Sequence, residues 1–180
     1  PMPGWSLDGL LGFLLGPPFE PLELAPFLCV LQKALCLILL ASGRCIGDIC
    51  FLSHSAGPLP SGLGLSLSWV AGYFPKHRTP LFPATPPSIR RMVTGVPRDR
   101  LLCPVRAYDI LVSWSLDLID DVPLSRRHHR LWVNPRNLLP ASKGSLARWF
   151  VNLVMASRHH QGVFGPVSIG PHQMRKFGAS

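Results

Sequence analysis

The order of apolar and polar positions along the chain predicts a mainly helical α+β domain with a small antiparallel sheet. Apolar residues at helical spacing predict helices over residues 5–15, 26–40, 46–52, 104–120 and 142–157. Between these helices, apolar residues at 63, 65, 67 and 69 alternate with small or polar ones, as in a half-buried strand. A further short strand is expected at 131–133. Helices before and after a small sheet are typical of the α+β class.

Glycine, proline and serine mark the connections between these elements. They predict a loop over 53–64 and irregular structure over 79–88, a stretch with four prolines. Gly43 is expected to end the second helix, and residues 73–76 to form a turn or another strand. Polar residues predict a loop over 121–130. A last loop, over 159–169, is expected to lead into a terminal helix.

The length, composition and charge indicate one folded domain with a basic second half. A chain of 180 residues can bury a core, and a composition of 47% hydrophobic and 15% charged residues excludes a disordered chain. Residues 1–89 carry four basic and four acidic side chains, whereas residues 90–180 carry 14 and five, which accounts for the whole net charge of +9. This excess indicates a polyanion such as nucleic acid. The alternative is a solvated basic surface.

Cysteine usage and the longest apolar run indicate a protein of a reducing compartment without a membrane partner. The five cysteines are odd in number and lack a C-x-x-C pair, so free thiols are predicted rather than disulfides or zinc. Histidine pairs at 128–129 and 159–160 have no cysteine or carboxylate at ligand spacing, so no metal or cofactor is predicted. Gln32 and Lys33 interrupt the run over 25–41, which predicts a buried core helix rather than a membrane span or a signal peptide.

His172 and Arg175, three positions apart, carry the most informative candidate chemistry. Residues at this spacing share one helix face, so both side chains can reach one ligand. The planar arginine fork matches a phosphate, and histidine exchanges a proton near neutral pH. The pair therefore suits binding and activation of a phosphodiester. The alternative is two unrelated surface residues on a terminal helix.

Several segments together resemble the catalytic domain of tyrosine recombinases, most of all those of DIRS-like retrotransposons. They follow the family's order and span nearly the whole chain. The matching segments are residues 5–8, 17–22, 40–49, 74–76, 102–107, 131–133, 142–154 and 172–177. The resemblance implies an entry segment or linker over 1–24. It also implies a partial recombinase catalytic core, of the phage integrase-like type, over 25–180.

Enzymes of this family cut DNA with a tyrosine, form a covalent phosphotyrosyl link and rejoin strands without a metal. The resemblance implies that two arginines hold the scissile phosphate, a lysine on the sheet protonates the leaving oxygen and a histidine assists proton transfer. His172 and Arg175 match the His-x-x-Arg box of the family. Lys76 is the candidate for the sheet lysine, and the alternative is a surface lysine in a turn.

Two departures from the family pattern predict a chain that holds DNA without cutting it. In the first arginine box, Cys45 stands where the arginine is expected. Arg44 comes one position early, which turns a helical side chain by about 100°, so it can substitute only if this turn is not regular helix. The second departure is that no tyrosine follows Arg175, because Tyr73 and Tyr108 both lie upstream. The resemblance therefore implies a catalytic domain that is truncated at its C-terminus.

The predicted function is a DNA-binding and inactive fragment of a recombinase or integrase from a transposable element. Contacts to the DNA backbone are expected from Lys143, Arg148 and Lys176. The basic segment 126–130 either touches phosphates or is a solvated loop. The resemblance further implies a homo-multimer on DNA and a nuclear location. Alternatives are a non-catalytic DNA-binding or interaction protein derived from such an element, or a decayed reading frame that does not fold stably.

Overall fold

A computed structural model describes residues 5–75 and 85–165, which form an α+β fold. Its elements are α1 (Leu7–Phe13), α2 (Phe27–Ser42), α3 (Ile46–Ile49), β1 (Leu52–Pro58), β2 (Gly64–Trp69), β3 (Ser88–Arg90), α4 (Pro97–Leu101), α5 (Pro104–Asp120) and α6 (Lys143–His160). Short 3₁₀ turns lie at Leu22–Leu24 and Leu124–Arg126. Helices before and after a small antiparallel sheet confirm the predicted class.

Helix α2 forms the centre of the hydrophobic core. Between Val30 and Leu39 every side chain except Gln32 is buried, which confirms the predicted core helix. Pro26 directly precedes the helix, where its fixed φ and missing amide proton are tolerated. At the other end Gly43 adopts a φ of 62°, a left-handed conformation that ends helices. Helices α5 and α6 both pack against α2.

Helices α5 and α6 begin at signals that are visible in the sequence. Pro104 is the first residue of α5, a position that suits proline. The Ser142 hydroxyl accepts the Ser145 amide at 3.0 Å and caps α6. Helix α6 ends at His160, beyond the predicted end, so His159 and His160 are helical rather than part of a loop. The short helix α4 was not predicted.

The sheet has the order β1–β2–β3, and both pairs are antiparallel. Strand β2 confirms the strand that the alternating pattern predicted. Gly64 at its start is required by the close approach of β3, because a Cβ there would overlap the Ile89 carbonyl oxygen and lie 2.8 Å from Leu59 Cδ1. The register of β1 shifts between Leu52 and Ala56, as at a bulge.

Two predictions for residues 46–64 were wrong. The helix expected over 46–52 is the single turn α3, and much of the expected loop is strand β1. Leu52 is fully buried and Ser53 is 6% exposed, so the chain enters the sheet immediately after α3. The glycine, serine and proline of this stretch hid the strand because β1 lies at the sheet edge and ends at Pro58, where proline is tolerated.

The prediction of a strand at 131–133 was also wrong, because the segment is not one of the strands of the fold. Only single bridges form here, between Arg130 and Ser53 of β1 and between Val133 and Pro140, so the segment is not a full strand of the sheet. All three side chains are nevertheless fully buried. Trp132 donates from Nε1 to the Ile49 carbonyl at 2.6 Å and so fixes the end of α3. The apolar pattern therefore predicted burial correctly, but not strand pairing.

A buried ion-pair network joins the first segment of the chain to α2 and α5. Lys33 is fully buried, and its ammonium donates to Glu20 at 2.5 Å and to the Leu14 carbonyl at 2.7 Å. Arg106 of α5 binds the same carboxylate at 2.9 and 3.1 Å and also pairs with Glu23. Burial lowers the pKa of Lys33. Burial also pushes the pKa of Glu20 upward, but its bonds to Arg106 and Lys33 outweigh this and lower that pKa.

The segment before α2 contributes to the same core as the later helices. Leu10, Leu14 and Leu22 are each at most 1% exposed and belong to one cluster with residues of α2, α5 and α6. The division of the chain at residue 24 stays a prediction. All five cysteines are free, as expected. Among residues 5–75 and 85–165, no helix is both long enough and apolar enough to cross a membrane.

Candidate active site

The predicted site residues divide between the described and the remaining parts of the chain. Outside the described residues lie Lys76, His172, Arg175 and Lys176. Within them lie Arg44, Cys45, Lys143 and Arg148. The candidate site is therefore built from the turn between α2 and α3 and from the start of α6.

The turn that carries Arg44 and Cys45 is not helical. After the left-handed Gly43, Cys45 has φ −80° and ψ 157°, an extended conformation, and it serves as the residue before α3. Arg44 could replace the expected arginine only if this turn were not regular helix, and the backbone meets that condition. The directions of the two side chains then decide which of them faces the site.

Arg44 and Cys45 reach different parts of the molecule. The Arg44 guanidinium donates from Nη2 to the Thr85 carbonyl at 2.7 Å, on the segment that enters β3. It also borders a small apolar recess formed in part by Trp5 and Phe150. The Cys45 thiol instead lies 3.2 Å from Oδ2 of Asp48. Cys45, and not Arg44, therefore contacts the acidic residue of the first arginine box.

Asp48 organises the centre of the candidate site. It is 6% exposed. Its Oδ1 accepts the Tyr73 hydroxyl at 2.8 Å, Oδ2 accepts the Cys45 thiol, and its main-chain carbonyl accepts Trp69 Nε1 at 3.2 Å. Both carboxylate oxygens are thus bound by neutral donors. This arrangement fixes α3 against β2 and the turn that follows it.

The two tyrosines of the described chain are held in structural contacts. Burial, and then the bond to Asp48, raises the pKa of Tyr73, so its hydroxyl stays protonated at neutral pH. Tyr108 donates to the His54 carbonyl at 2.7 Å, and burial raises its pKa to about 12. A protonated, hydrogen-bonded phenol is a poor nucleophile. Neither side chain is therefore prepared for attack on a phosphate.

Lys143 borders the same space as Cys45. A methyl group placed on Gly47 would lie 3.6 Å from the Cys45 sulfur and 4.0 Å from Cε of Lys143. Lys143 is exposed at the first position of α6, and Ser142 caps that helix beside it. The ammonium group is therefore available to an anion that approaches the Cys45 turn.

A second cation, Arg130, approaches the site over an aromatic stack. Its guanidinium carbon lies 4.4 Å from the ring centroid of Phe51, a cation–π contact. Phe51 stacks on Tyr73 with centroids 4.2 Å apart and planes 9° apart. Burial raises the pKa of Cys50, while the charges of Arg130 and Lys143 oppose the rise. Both cations therefore lie close to the end of α3.

Arg148 does not share the Lys143 face of α6. Five helical positions separate the two residues, which places their side chains roughly 140° apart around the axis. Arg148 is exposed and has no ion pair among the described residues. It therefore does not add to the space beside Cys45.

The basic segment 126–130 has several structural roles. Arg127 donates to Asp120 at 3.2 Å and to the Val122 carbonyl at 3.0 Å. His128 accepts the Arg130 amide at Nδ1, and the His54 amide donates to the His129 carbonyl at 3.1 Å. Arg126 and His129 are exposed. This segment is thus anchored to β1 and to the end of α5.

Across the described residues, no group of three or more metal-ligating side chains is present.

The free energy of unfolding is expected to fall as the pH drops from about 6.5 towards 4, by on the order of 1–2 kcal/mol. Burial lowers the pKa of His54 from 6.5 to about 4, and the charges of His128 and His129 act in the same direction. Between these values the unfolded chain binds more protons than the folded chain, so stability is present at high pH and lost as the pH falls. Urea unfolding at about pH 7.5 and about pH 5 measures this loss.

The variant His54→Gln should remove a large part of this pH dependence, and His128, whose pKa burial also lowers, should account for a further part. The matched control is His159→Gln, because His159 is exposed on α6 and far along the chain from β1. Retention of the full pH dependence in His54→Gln would contradict the assignment to His54.

The contacts of Asp48 were not predicted from the sequence. Their local signal is present, because Cys45 and Asp48 are three positions apart and flank one helical turn. The bond from Tyr73 depends on the turn after β2, for which the sequence pattern left two possibilities. The place of Arg130 on Phe51 follows from the pairing of β1 with residues near 130, which was predicted as a loop.

Comparisons with known proteins identified no relative of this chain. No protein-family model, curated protein or solved structure matches the chain.

Proposed function

We propose that this chain is the DNA-binding catalytic domain, or a part of it, of a tyrosine recombinase from a transposable element, and that it is inactive as it stands. The observation that carries the proposal is that Lys143 lies beside the turn where the motif order expects the first arginine, and Arg130 lies over Phe51, just past the end of α3. DNA is the partner, the location is nuclear, and assembly on DNA is multimeric.

The charge balance around the turn supports a phosphate ligand. Neither Lys143 nor Arg130 forms an ion pair within the described chain, whereas Arg106 and Arg127 do. The nearby carboxylate of Asp48 is already bound by Tyr73 and Cys45. Neither cation therefore has a direct ion-pair partner among the described residues, although the negative charge of Asp48 remains nearby. Phosphate oxygens are the ligands that such cations bind in protein–DNA interfaces.

The same geometry supports binding without strand cleavage. Charge builds on the phosphate oxygens in the transition state, and fixed positive donors stabilise it. The Cys45 thiol donates to Asp48, and the Arg44 guanidinium donates to the Thr85 carbonyl, so neither replaces the expected arginine. Loss of one such donor costs on the order of 10²–10³ in rate. The alternative, a non-catalytic DNA-binding protein derived from such an element, would bind DNA with the same surface. It differs from the first proposal only in that it no longer serves recombination.

The variant Lys143→Gln is expected to lower the affinity for a duplex of about 30 base pairs and to reduce the salt slope of binding by about 1, because one phosphate contact is lost. The matched control is Arg100→Gln. Arg100 is also exposed but borders a cleft together with Glu20 and Glu23, which repel DNA. Fluorescence anisotropy at several salt concentrations measures both quantities.

Equal losses in the Lys143→Gln and Arg100→Gln variants would mean that binding depends on net charge and not on this face. Absence of any duplex binding by the wild-type chain would reject the proposal and leave an interaction protein as the remaining alternative. A cooperative thermal unfolding transition, checked for each variant, would exclude loss of folding as the cause and contradict a decayed chain that does not fold.

A further inference from the structure

Strand β3 has an outer edge that is open at Ser88 and Arg90, whereas the Met92 amide just beyond it donates to Cys103 Sγ at 3.4 Å. Pro87 and Arg91 make main-chain hydrogen bonds of 2.8 Å towards the β2 side of the ladder. Because the direction of these groups alternates along an antiparallel strand, the amide and carbonyl groups of Ser88 and Arg90 point the other way. Both residues are exposed. Among residues 5–75 and 85–165, no strand pairs with this edge.

A groove of about 450 Å³ lies along this open edge. Ser88 and Arg90 form its rim on the sheet side. Its other lining is mostly apolar and comes from the helices and the segment after β3: Leu11, Leu37, Leu40, Ala41, Met92, Leu102 and Pro104. Met92 is 41% exposed and Val93 68% exposed. Unpaired strand groups and apolar surface thus occur side by side.

The strand beside the groove carries two exposed arginines, Arg90 and Arg91. Arg90 lines the groove and has no ion pair among the described residues. Arg91 makes one long contact of 3.8 Å with Asp109, in which both side chains are more than half exposed. Such a contact contributes little and leaves the arginine available. The surface charge therefore favours a ligand with carboxylates.

We propose that the β3 edge and its groove bind an extended acidic peptide segment of a partner protein, with alternate apolar side chains in the groove and carboxylates on the rim. Addition of a strand to a sheet edge supplies main-chain bonds for affinity and pockets for alternate side chains. An open edge of this kind is otherwise a site of uncontrolled pairing. Duplex DNA fits less well. It has no extended peptide backbone to pair with the main-chain groups of Ser88 and Arg90, and its charged surface gains nothing from the apolar lining of the groove.

This interaction is independent of the proposed DNA site, since it uses β3 and the groove rather than the Cys45 turn. The probe is a fluorescein-labelled synthetic peptide in which valine or leucine alternates with glutamate. A second peptide carries lysine in place of each glutamate. Anisotropy with the full chain is expected to show binding of the acidic peptide and binding at least about tenfold weaker for the basic one.

The variant Ser88→Pro removes one outward amide without removing a bond to β2, and edge strands tolerate proline. It should weaken the acidic peptide at least about tenfold. Arg90→Glu should weaken the acidic peptide and strengthen the basic one. Met92→Asp should weaken the binding of both peptides, because it places a charge in the apolar lining of the groove. Arg136→Glu, an exposed change outside the groove, is the charge-matched control, and thermal unfolding verifies the fold of each variant.

Four outcomes would overturn the proposal. The first is equal binding of the acidic and basic peptides. The second is unchanged peptide binding in both Ser88→Pro and Met92→Asp. The third is concentration-dependent self-association of the wild-type chain that Ser88→Pro abolishes, because the occupant would then be a second copy. Loss of duplex binding in Arg90→Glu without any peptide binding would also reject it and assign this face to nucleic acid.

Discussion

Replacement of Glu20 by glutamine is expected to destabilise the protein by about 3–5 kcal/mol. The Lys33 ammonium is fully buried, and Glu20 is the only carboxylate within the described residues that contacts it. Without that partner a cation remains in a low-dielectric interior, and the Leu14 carbonyl alone compensates it poorly. Urea unfolding at neutral pH gives the change in free energy directly.

Two further variants show whether the buried charge is the cause. Glu23→Gln removes a more exposed partner of Arg106, so the loss should stay below about 1 kcal/mol. Lys33→Met in the Glu20→Gln background removes the unpaired charge while keeping a long side chain, and it should recover most of the lost stability. A double variant that is as unstable as Glu20→Gln would contradict the role of the Lys33 charge.

The affinity for duplex DNA is expected to fall about 10²-fold between roughly 50 and 200 mM salt. Binding through about four phosphate contacts releases a corresponding number of counterions, and each contributes a slope of about −0.9. Lys143 and Arg130 are the described cations expected to make such contacts, and Arg175 and Lys176, outside the described residues, are predicted to add to them. Anisotropy titrations over this range measure the slope. An affinity that does not change with salt would mean that no phosphate contacts are made.

The long helices α2, α5 and α6 could be predicted because their ends have local causes. Pro104, Ser142 and Gly43 act within one turn of the helix end, so their effect does not depend on the rest of the molecule. The core position of α2 could be predicted from its apolar length, although Lys33 at its centre gave no indication of its partner. Glu20 is close in sequence, but the contact depends on how the chain turns before α2.

The strands and the candidate site were less predictable because they depend on contacts between distant segments. Strand β1 is hidden by small residues, and its burial depends on β2 and on the segment near Arg130. The sequence identified Cys45 as a departure from the family motif, but the thiol's partner could be read only once α3 was known to be a single turn. The stack of Arg130 on Phe51 joins residues that no local pattern connects.

The most direct test of the proposed DNA site is the rate of alkylation of Cys45 with and without duplex DNA. The Cys45 thiol lies beside Lys143 and is partly exposed, and partly exposed Cys29 in α2 provides an internal control in the same molecule. Mass spectrometry after brief treatment with iodoacetamide reports both rates. We predict that saturating duplex DNA at low salt lowers the alkylation rate of Cys45 several-fold and leaves that of Cys29 unchanged. At high salt, the protection of Cys45 should disappear. Equal rates at Cys45 with and without bound DNA would contradict the placement of the interface at this turn.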